Sequence, residues 1–74
     1  MQVTIKLFAT FRAGRFEVET RALPVGATVG TAIEELRIPR RELGIVLVNS
    51  VHASPEKALS DGDTLALFPL VGGG

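Results

Sequence analysis

The 74-residue sequence contains no cysteine and only one histidine, His52. Without cysteine the chain has neither a disulfide framework nor a thiolate nucleophile, and a single histidine is too few for a typical zinc site. A domain of this size lies near the lower limit at which a core sustains itself without such cross-links. We therefore expect its stability to come from packing of the apolar residues, which make up 46% of the chain.

Net charge and long apolar runs are also lacking. Eight acidic and eight basic residues cancel, so no overall field favours nucleic acid or an anionic membrane. No apolar run approaches the roughly 20 residues that span a bilayer, and residues 1–6 lack the layout of a signal peptide. The sequence predicts a cytoplasmic protein whose partners are neither nucleic acids nor membranes.

The first part of the chain has the period of a β-strand. Apolar residues alternate with polar ones at Val3, Ile5 and Leu7, which indicates a strand with one face in the core. After a glycine-containing turn at residues 12–15, Phe16 and Val18 alternate with glutamates. This pattern predicts a second strand, paired with the first as a hairpin and facing the same core.

A helix follows after the break at residues 23–27. Thr28 is a candidate N-cap, and Pro39 is expected to end the helix. The apolar residues of this segment repeat at intervals of three and four: Val29, Ala32, Ile33 and Leu36. Such spacing is typical of an amphipathic helix packed across a sheet, with the charged residues between them in solvent.

The run at residues 45–48 is continuously apolar and rich in β-branched side chains. It predicts an internal strand, either covered on both faces or exposing apolar surface on one. Residues 49–50 then give a tight reversal into a short strand at residues 51–52.

The last third of the sequence alternates turn signals with a final strand. Ser54 followed by proline predicts a single helical turn at residues 55–59, and residues 60–63 predict a turn. Residues 64–68 form the last strand, and Pro69 is expected to stop its ladder. The fold class is therefore α+β, with the order strand, strand, helix, strand, strand, short helix, strand.

The chain ends in three glycines. Glycine has no side chain to pack and the highest backbone entropy, so residues 70–74 are expected to form a flexible tail on a domain of residues 1–69. Fully extended, five residues reach roughly 17 Å. So thin a backbone could carry a carboxylate into a narrow channel of another protein. The alternative is a frayed terminus or a cloning remnant.

Several short motifs together resemble one known family. They occur in this order: residues 24–29, residues 47–49, residues 59–63, the Phe68–Pro69 pair and the Gly73–Gly74 pair. None is specific alone, but their order over the whole chain resembles the ubiquitin-like sulfur carriers of the MoaD/ThiS family. The resemblance implies a β-grasp fold, a mixed sheet of four to five strands with one helix packed across it.

Within this family the small subunit of molybdopterin synthase is the most similar group. The similarity lies in residues 7–12, with their arginine, and in the ending at residues 67–74. Leu70 and Gly72 depart from that ending, which usually has a second proline and another small residue. The Val-Gly-Gly-Gly ending is similar to thiamine sulfur carriers, so the pathway stays open between the two.

The resemblance implies a function for the tail. An E1-like enzyme would adenylate Gly74 with ATP and convert it to a thiocarboxylate, and Gly73 would allow the tail to pass into the active site. The sulfur acceptor would be bound by the large subunit of molybdopterin synthase or by thiazole synthase. The chain has no phosphate-binding loop and no carboxylate cluster for magnesium, so we expect no activity of its own and no stably bound cofactor.

A partner must also be held by the domain. If the alternation holds, Phe8 and Phe68 point away from the core, and one face of residues 45–48 joins them. Large exposed apolar groups of this kind suit protein docking. The alternative is that the chain's own loops or the core cover them, and Phe11 is equally undecided. The resemblance extends the partner-binding set to the tail itself: Pro69, Leu70, Val71 and Gly72.

The remaining polar residues have simpler interpretations. His52 lacks a catalytic partner at a suitable spacing, and the aspartates at residues 61 and 63 indicate a turn rather than a calcium loop. Arginines at residues 37, 40 and 41 are explained as solvated charge after a helix. Three other functions stay open: a protein modifier conjugated through Gly74, a self-contained enzyme without an evident nucleophile and base, and a passive binding domain.

Overall fold

The computed structural model describes residues 1–70, and residues 71–74 of the predicted tail lie outside this part. Two 3₁₀ turns, Ala9–Arg12 and Arg40–Glu42, connect the regular elements. Those elements are β1 (Gln2–Leu7), β2 (Val18–Ala22), α1 (Val29–Glu35), β3 (Leu43–Val48), β4 (Val51–His52) and β5 (Thr64–Pro69). This order agrees with the sequence prediction, except that the short helix before the last strand is absent.

The strands form one five-stranded sheet in the order β2-β1-β5-β3-β4. β1 and β5 run parallel in the middle, whereas β1–β2, β3–β5 and β3–β4 are antiparallel. The predicted hairpin of the first two strands and the internal position of β3 are therefore confirmed. The sheet is mixed, and a single α-helix packs on one of its faces.

The core lies between α1 and the sheet. The helix and its C-cap residue Leu36 contribute the four apolar residues expected from the spacing, and the two central strands contribute alternate residues. The largest fully buried side chains are Val3, Ile5, Leu7, Phe11, Val29, Ile33, Leu65 and Leu67. Phe11, which the sequence left undecided, is 2% exposed. The 3₁₀ turn after β1 places its side chain in the core, on the side of the sheet that faces α1.

The prediction that Val18 faces the core is wrong. Val18 is 55% exposed, and Glu19 is the residue opposite the buried Ile5 in the register of β1 and β2. The alternation thus places the charged residues of β2 on the helix side. Phe16 precedes the strand and packs partly against the core, so the strand begins later than the apolar pattern suggested.

The helical turn predicted at residues 55–59 is reduced to one hydrogen-bonded turn at residues 54–57. Lys57 N–H donates to the carbonyl of Ser54 at 3.0 Å, which closes a single turn. The carbonyls of this segment then accept hydrogen bonds from the first turn of α1, from Val29 N to Lys57 O at 2.9 Å and from Gly30 N to Pro55 O at 2.8 Å. Satisfying the free N–H groups of α1 outweighs the local helical signal.

The start of α1 is as predicted. Thr28 is the N-cap, and its Oγ1 accepts the backbone N–H of Thr31 at 3.2 Å while the Thr31 hydroxyl accepts the N–H of Thr28 at 3.1 Å. This reciprocal pair is a capping box with threonine in the place of the usual glutamate or glutamine.

The end of α1 comes earlier than predicted. The helix stops at Glu35 rather than at Pro39, because Arg37 adopts a left-handed conformation with φ of 57°. The guanidinium of Arg15 donates to the carbonyl of Leu36 at 3.1 Å. A cation at this position satisfies a free carbonyl and is favoured by the helix dipole.

Candidate functional site

The face of the sheet away from α1 is not covered by any element within residues 1–70. We call it the open face and define it by the side chains that the strand registers place there around the centre of the sheet: Lys6, Phe8, Ile45, Leu47, Ala66 and Phe68. Most of them are apolar. This surface is where the sequence predicted a docking site.

Phe8 and Phe68 form an aromatic stack on the open face. Their ring centroids are 4.1 Å apart and their planes differ by 8°. The stack arises because β1 and β5 are parallel neighbours in which the buried Leu7 and Leu67 are register partners. The residues that follow them, Phe8 and Phe68, therefore lie side by side on the opposite face of the sheet. Both rings are half-buried. Their predicted direction away from the core is therefore confirmed.

Arg12 supports the stack from the outside. Its guanidinium carbon lies 5.6 Å from the centroid of the Phe8 ring, within the range of a cation–π contact. Its Nε donates to the carbonyl of Leu7 at 2.8 Å, and its Nη2 lies 3.6 Å from a carboxylate oxygen of Glu17. The sequence indicated Arg12 only as part of a family pattern, and the contact depends on the unpredicted 3₁₀ turn.

β3 extends the apolar surface beside the stack. Ile45 is the register partner of Phe68, and Leu47 that of Ala66. Ile45 is 44% exposed whereas Val46 and Val48 are buried. Of the two alternatives for this run, the one with apolar surface exposed on one face is correct.

A shallow groove of about 220 Å³ crosses the open face. Its lining comes from β1, β3, β5 and the reversal at residues 49–50, and consists of Lys6, Phe8, Leu47, Asn49, Ser50, Thr64, Ala66 and Phe68. Sites for drug-sized molecules usually have volumes of about 300 to 1,000 Å³. The groove is thus suited to one or two side chains of a protein partner.

The tail leaves the domain at the end of β5, beside this face. Pairing continues through Pro69, which is the register partner of Leu43, and Leu70 N–H donates to the carbonyl of Glu42 at 2.8 Å. The prediction that Pro69 stops the ladder is wrong, because a register shift between Leu43 and Ile45 lets the chain pass a residue without an N–H donor. We call Pro69 and Leu70 the tail root.

Gly44 permits the close approach of the tail root to β3. A Cβ atom on Gly44 would lie 2.6 Å from the Pro69 carbonyl oxygen, 2.9 Å from its carbon and 3.0 Å from the Leu70 nitrogen. All three are backbone atoms, so none can move aside as a flexible side chain would. The signal in the sequence was a glycine beside a β-branched run, which often marks a bulge or a close backbone approach.

The structure gives the positions of four residues of the predicted partner-binding set, and their roles in binding stay predictions. Phe8, Phe68 and Pro69 lie together at one end of the open face, and Leu70 next to them is 59% exposed. The other tail residues lie outside the described part, so their roles stay predictions: Val71, Gly72, Gly73 and Gly74.

The aspartates of the 60–63 turn accept hydrogen bonds within the turn and from two neighbouring segments. Asp63 accepts hydrogen bonds from the backbone N–H of Ser60 at 2.8 Å and from the side-chain amide of Asn49 at 2.9 Å. These two bonds, the first above all, hold the pKa of Asp63 below its ordinary value. Asp61 accepts the backbone N–H of Gln2 at 2.6 Å. The interpretation of this segment as a hydrogen-bonded turn is confirmed.

A larger open pocket of about 610 Å³ lies beside β4, with His52 in its lining. His52 is exposed on the edge strand β4. Residues 1–70 contain no group of three His, Cys, Asp or Glu side chains placed to hold a metal ion. In the same part of the chain, no helix has the length and apolar character needed to cross a membrane.

Comparison with known sequences identifies the family. The sequence model of the ThiS family matches residues 5–74. The chain belongs to the ThiS family. A search of curated proteins found no match.

Solved structures of similar proteins agree with this membership. Small archaeal modifier protein 1 of Haloferax volcanii is 31% identical, with 95% of this chain and 98% of that chain covered and a TM-score of 0.77. The putative molybdopterin converting factor subunit 1 of Pyrococcus furiosus is 32% identical, with 96% and 99% covered and a TM-score of 0.79.

Subunit 1 of the molybdopterin-converting factor of Helicobacter pylori, solved in complex with subunit 2, is only 18% identical, with 100% of both chains covered and a TM-score of 0.68. At this identity the likeness concerns the fold alone. Together with the family match, these neighbours confirm the ubiquitin-like β-grasp fold and place the chain among the ubiquitin-like sulfur carriers.

Proposed function

We propose that this chain carries sulfur as a thiocarboxylate on the carboxyl group of Gly74 and donates it in molybdopterin biosynthesis. The observation that carries the proposal is the tail root. β5 delivers Leu70 to the surface at the same end of the sheet as the Phe8–Phe68 stack, so a partner that docks on the open face has the tail beside its active site. The 32% identity to a putative molybdopterin converting factor subunit 1 supports this pathway.

The chemistry requires an activating partner, because a carboxylate is a poor acyl donor at neutral pH. In the first proposed reaction, a carboxylate oxygen of Gly74 attacks the α-phosphorus of ATP, and pyrophosphate leaves. A sulfur nucleophile supplied by the partner system then attacks the acyl carbon, and AMP departs with the oxygen it holds. The E1-like enzyme binds the ATP, so the carrier itself needs no cofactor.

Glycine at residues 73 and 74 serves delivery. A Cβ atom would widen the thread and restrict the conformations available to it, so glycines suit a tail that enters the narrow active sites of two enzymes in turn. The open face supplies the affinity, since buried aromatic anchors carry most of the binding energy of protein interfaces.

We propose the large subunit of molybdopterin synthase as the second partner. The Helicobacter pylori protein that shares this fold was solved in a complex with subunit 2 of its molybdopterin-converting factor. We place the reaction in the cytoplasm, as the sequence predicts.

Two other functions have specific support. The Val-Gly-Gly-Gly ending and the ThiS family match favour sulfur donation to a thiazole precursor on thiazole synthase. The 31% identity to small archaeal modifier protein 1 favours conjugation of Gly74 to lysines of other proteins. Each uses the same activation step and differs in the acceptor.

Intact-protein mass spectrometry tests the proposal. The chain is incubated with ATP, a sulfide source and candidate adenylating enzymes from the same genome, alongside a variant lacking Gly73 and Gly74. We expect a mass gain equal to exchange of one oxygen for sulfur, located at Gly74 by fragmentation and absent from the variant. If no candidate adenylates the chain or exchanges its oxygen, the carrier function is refuted.

The acceptor is identified in a second step. The loaded chain is mixed separately with the molybdopterin synthase large subunit and its pterin precursor, and with thiazole synthase and its precursor. Loss of the sulfur mass with formation of the corresponding product assigns the pathway. Isopeptide-linked conjugates in cell extracts would instead assign a modifier role.

A further inference from the structure

Lys6 gives the groove of the open face its charge. Of the eight residues that line this groove, Lys6 is the one with an ionisable side chain. It lies on β1 near the middle of the sheet, opposite Val18 on one side and Ala66 on the other, and it is exposed. A single positive charge therefore stands in a mainly apolar surface.

Nothing in the described part of the chain neutralises this charge. The ion pairs within residues 1–70 join Arg12 to Glu17 and Arg21 to two glutamates, and none includes Lys6. The cross-strand neighbours of Lys6 are apolar, and the closest element of the same surface, the aromatic stack, has Arg12 on its outer side. Within residues 1–70, the charge of Lys6 is therefore not paired, whereas that of Arg12 is paired with Glu17, and the net charge of the whole chain is zero.

A lysine in this position has consequences for docking. In the free protein Lys6 is exposed, so its ammonium group is hydrated. When a partner covers the face, the ammonium loses much of its hydration, and this cost is recovered only if the partner supplies a paired acceptor, best a carboxylate. An entirely apolar partner surface would be rejected.

We propose that Lys6 is a specificity contact, and that the adenylating partner presents an Asp or Glu side chain to the groove beside the Phe8–Phe68 stack. This inference rests on the proposed function, because that function supplies the partner. The occupant is an acidic protein side chain within an apolar patch. It pairs with Lys6 while its neighbours pack on the aromatic rings and on Leu47.

Binding of the adenylating enzyme that loads the wild-type chain is the test. Affinity is measured by titration calorimetry at low and high salt for the wild type, Lys6→Gln and Lys6→Glu. Lys57→Glu is the matched control, because the chain has two lysines and Lys57 lies in the segment that packs on the start of α1. Both lysines are exposed, so all three variants should fold as the wild type does, which thermal melts will verify.

We expect Lys6→Gln to weaken binding about tenfold and Lys6→Glu more, with a reduced dependence on salt in the glutamine variant. Lys57→Glu should stay within about twofold of the wild type. Reversal of the acidic residue in the enzyme, to Lys, should restore binding to Lys6→Glu.

Two outcomes overturn the inference. If Lys6→Glu binds as well as the wild type, or if Lys57→Glu loses as much affinity as Lys6→Glu, no specific carboxylate faces Lys6. Failure of the proposed function looks different, because then no adenylating enzyme loads or binds even the wild-type chain, and Lys6 has no docking role to play.

Discussion

Replacement of Gly44 by alanine should displace the tail root. The new Cβ would lie 2.6 Å from the carbonyl oxygen of Pro69, and ordinary contact requires about 3.5 Å. Pro69 therefore has to withdraw by about 1 Å, which breaks the hydrogen bond from Leu70 N–H to Glu42 O, 2.8 Å long in the native chain. Neither neighbour can yield by a rotation of its side chain.

The size of the effect follows from how the overlap is relieved. Overpacking in a rigid site costs about 1–3 kcal/mol, but the end of β5 can separate from β3 and lose only its last pairing, worth about 1 kcal/mol. We expect the free energy of unfolding to fall by about 1–2 kcal/mol, and the melting temperature by about 5–15 °C. In sulfur loading, kcat should fall while KM changes less. The docking residues are unchanged, so binding is kept, but the carboxylate is misplaced for the reaction.

Circular dichroism melts and amide hydrogen exchange of Leu70 measure the two effects. Gly26→Ala is the control: its φ of 93° makes it strained, but no atom lies within 4 Å of its new Cβ. It should lower the melting temperature and leave local protection of the Leu70 amide intact. If Gly44→Ala melts within about 1 °C of the wild type and keeps Leu70 protected, the close approach does not position the tail root.

Three further predictions concern the docking face, the acidic turn and the helix start. Phe68→Ala removes the stack and should weaken binding of the adenylating enzyme more than tenfold in calorimetry, whereas unchanged affinity would mean that the partner docks elsewhere. Hydrogen bonds lower the pKa of Asp63 in the folded state, so its stabilisation is present above the unfolded pKa of about 3.9 and is lost as the pH falls through the folded value. Asp63→Asn should therefore be less stable than the wild type at pH 7. Urea titrations should show this difference in stability shrinking in acid, below the unfolded pKa. A difference that does not depend on pH would contradict the stabilising role of the Asp63 carboxylate. Thr28→Ala deletes the acceptor of the N-cap and should lower the free energy of unfolding by about 1 kcal/mol in the same titrations. A much smaller loss would show that the carbonyls of Pro55 and Lys57 are enough to stabilise the start of α1.

The elements that the sequence predicted well are those whose pattern matches burial directly. β1 and α1 show a clear period, and the buried residues are the expected ones: Val3, Ile5 and Leu7 in the strand, Val29, Ala32 and Ile33 in the helix, and Leu36 directly after it. The direction of Phe8 and Phe68 followed from the same alternation. Their contact could not be predicted, since it depends on β1 and β5 being parallel neighbours.

The errors arose where distant segments supply the deciding contact. Val18 has a core-like spacing, but the register of β1 and β2 pairs it with the exposed residue Lys6. The 3₁₀ turn after β1 brings Phe11 into the core. Residues 55–59 carry a local helix signal, yet their carbonyls are used by α1. The importance of Gly44 lies in backbone atoms 25 residues further along the chain, which a pattern around Gly44 itself does not contain.

The position of β5 also determines the order in which the molecule can be assembled. β5 follows the other four strands in sequence but lies between β1 and β3, so the β1–β2 and β3–β4 hairpins stay separate until it inserts. Such non-local pairing makes folding slow compared with helical proteins of this size. It also means that a partly folded chain has no open face, because the surface that an adenylating enzyme would recognise consists of strands from both halves. If the proposed function is correct, docking would therefore select chains that have completed folding, and an incomplete chain would not be activated.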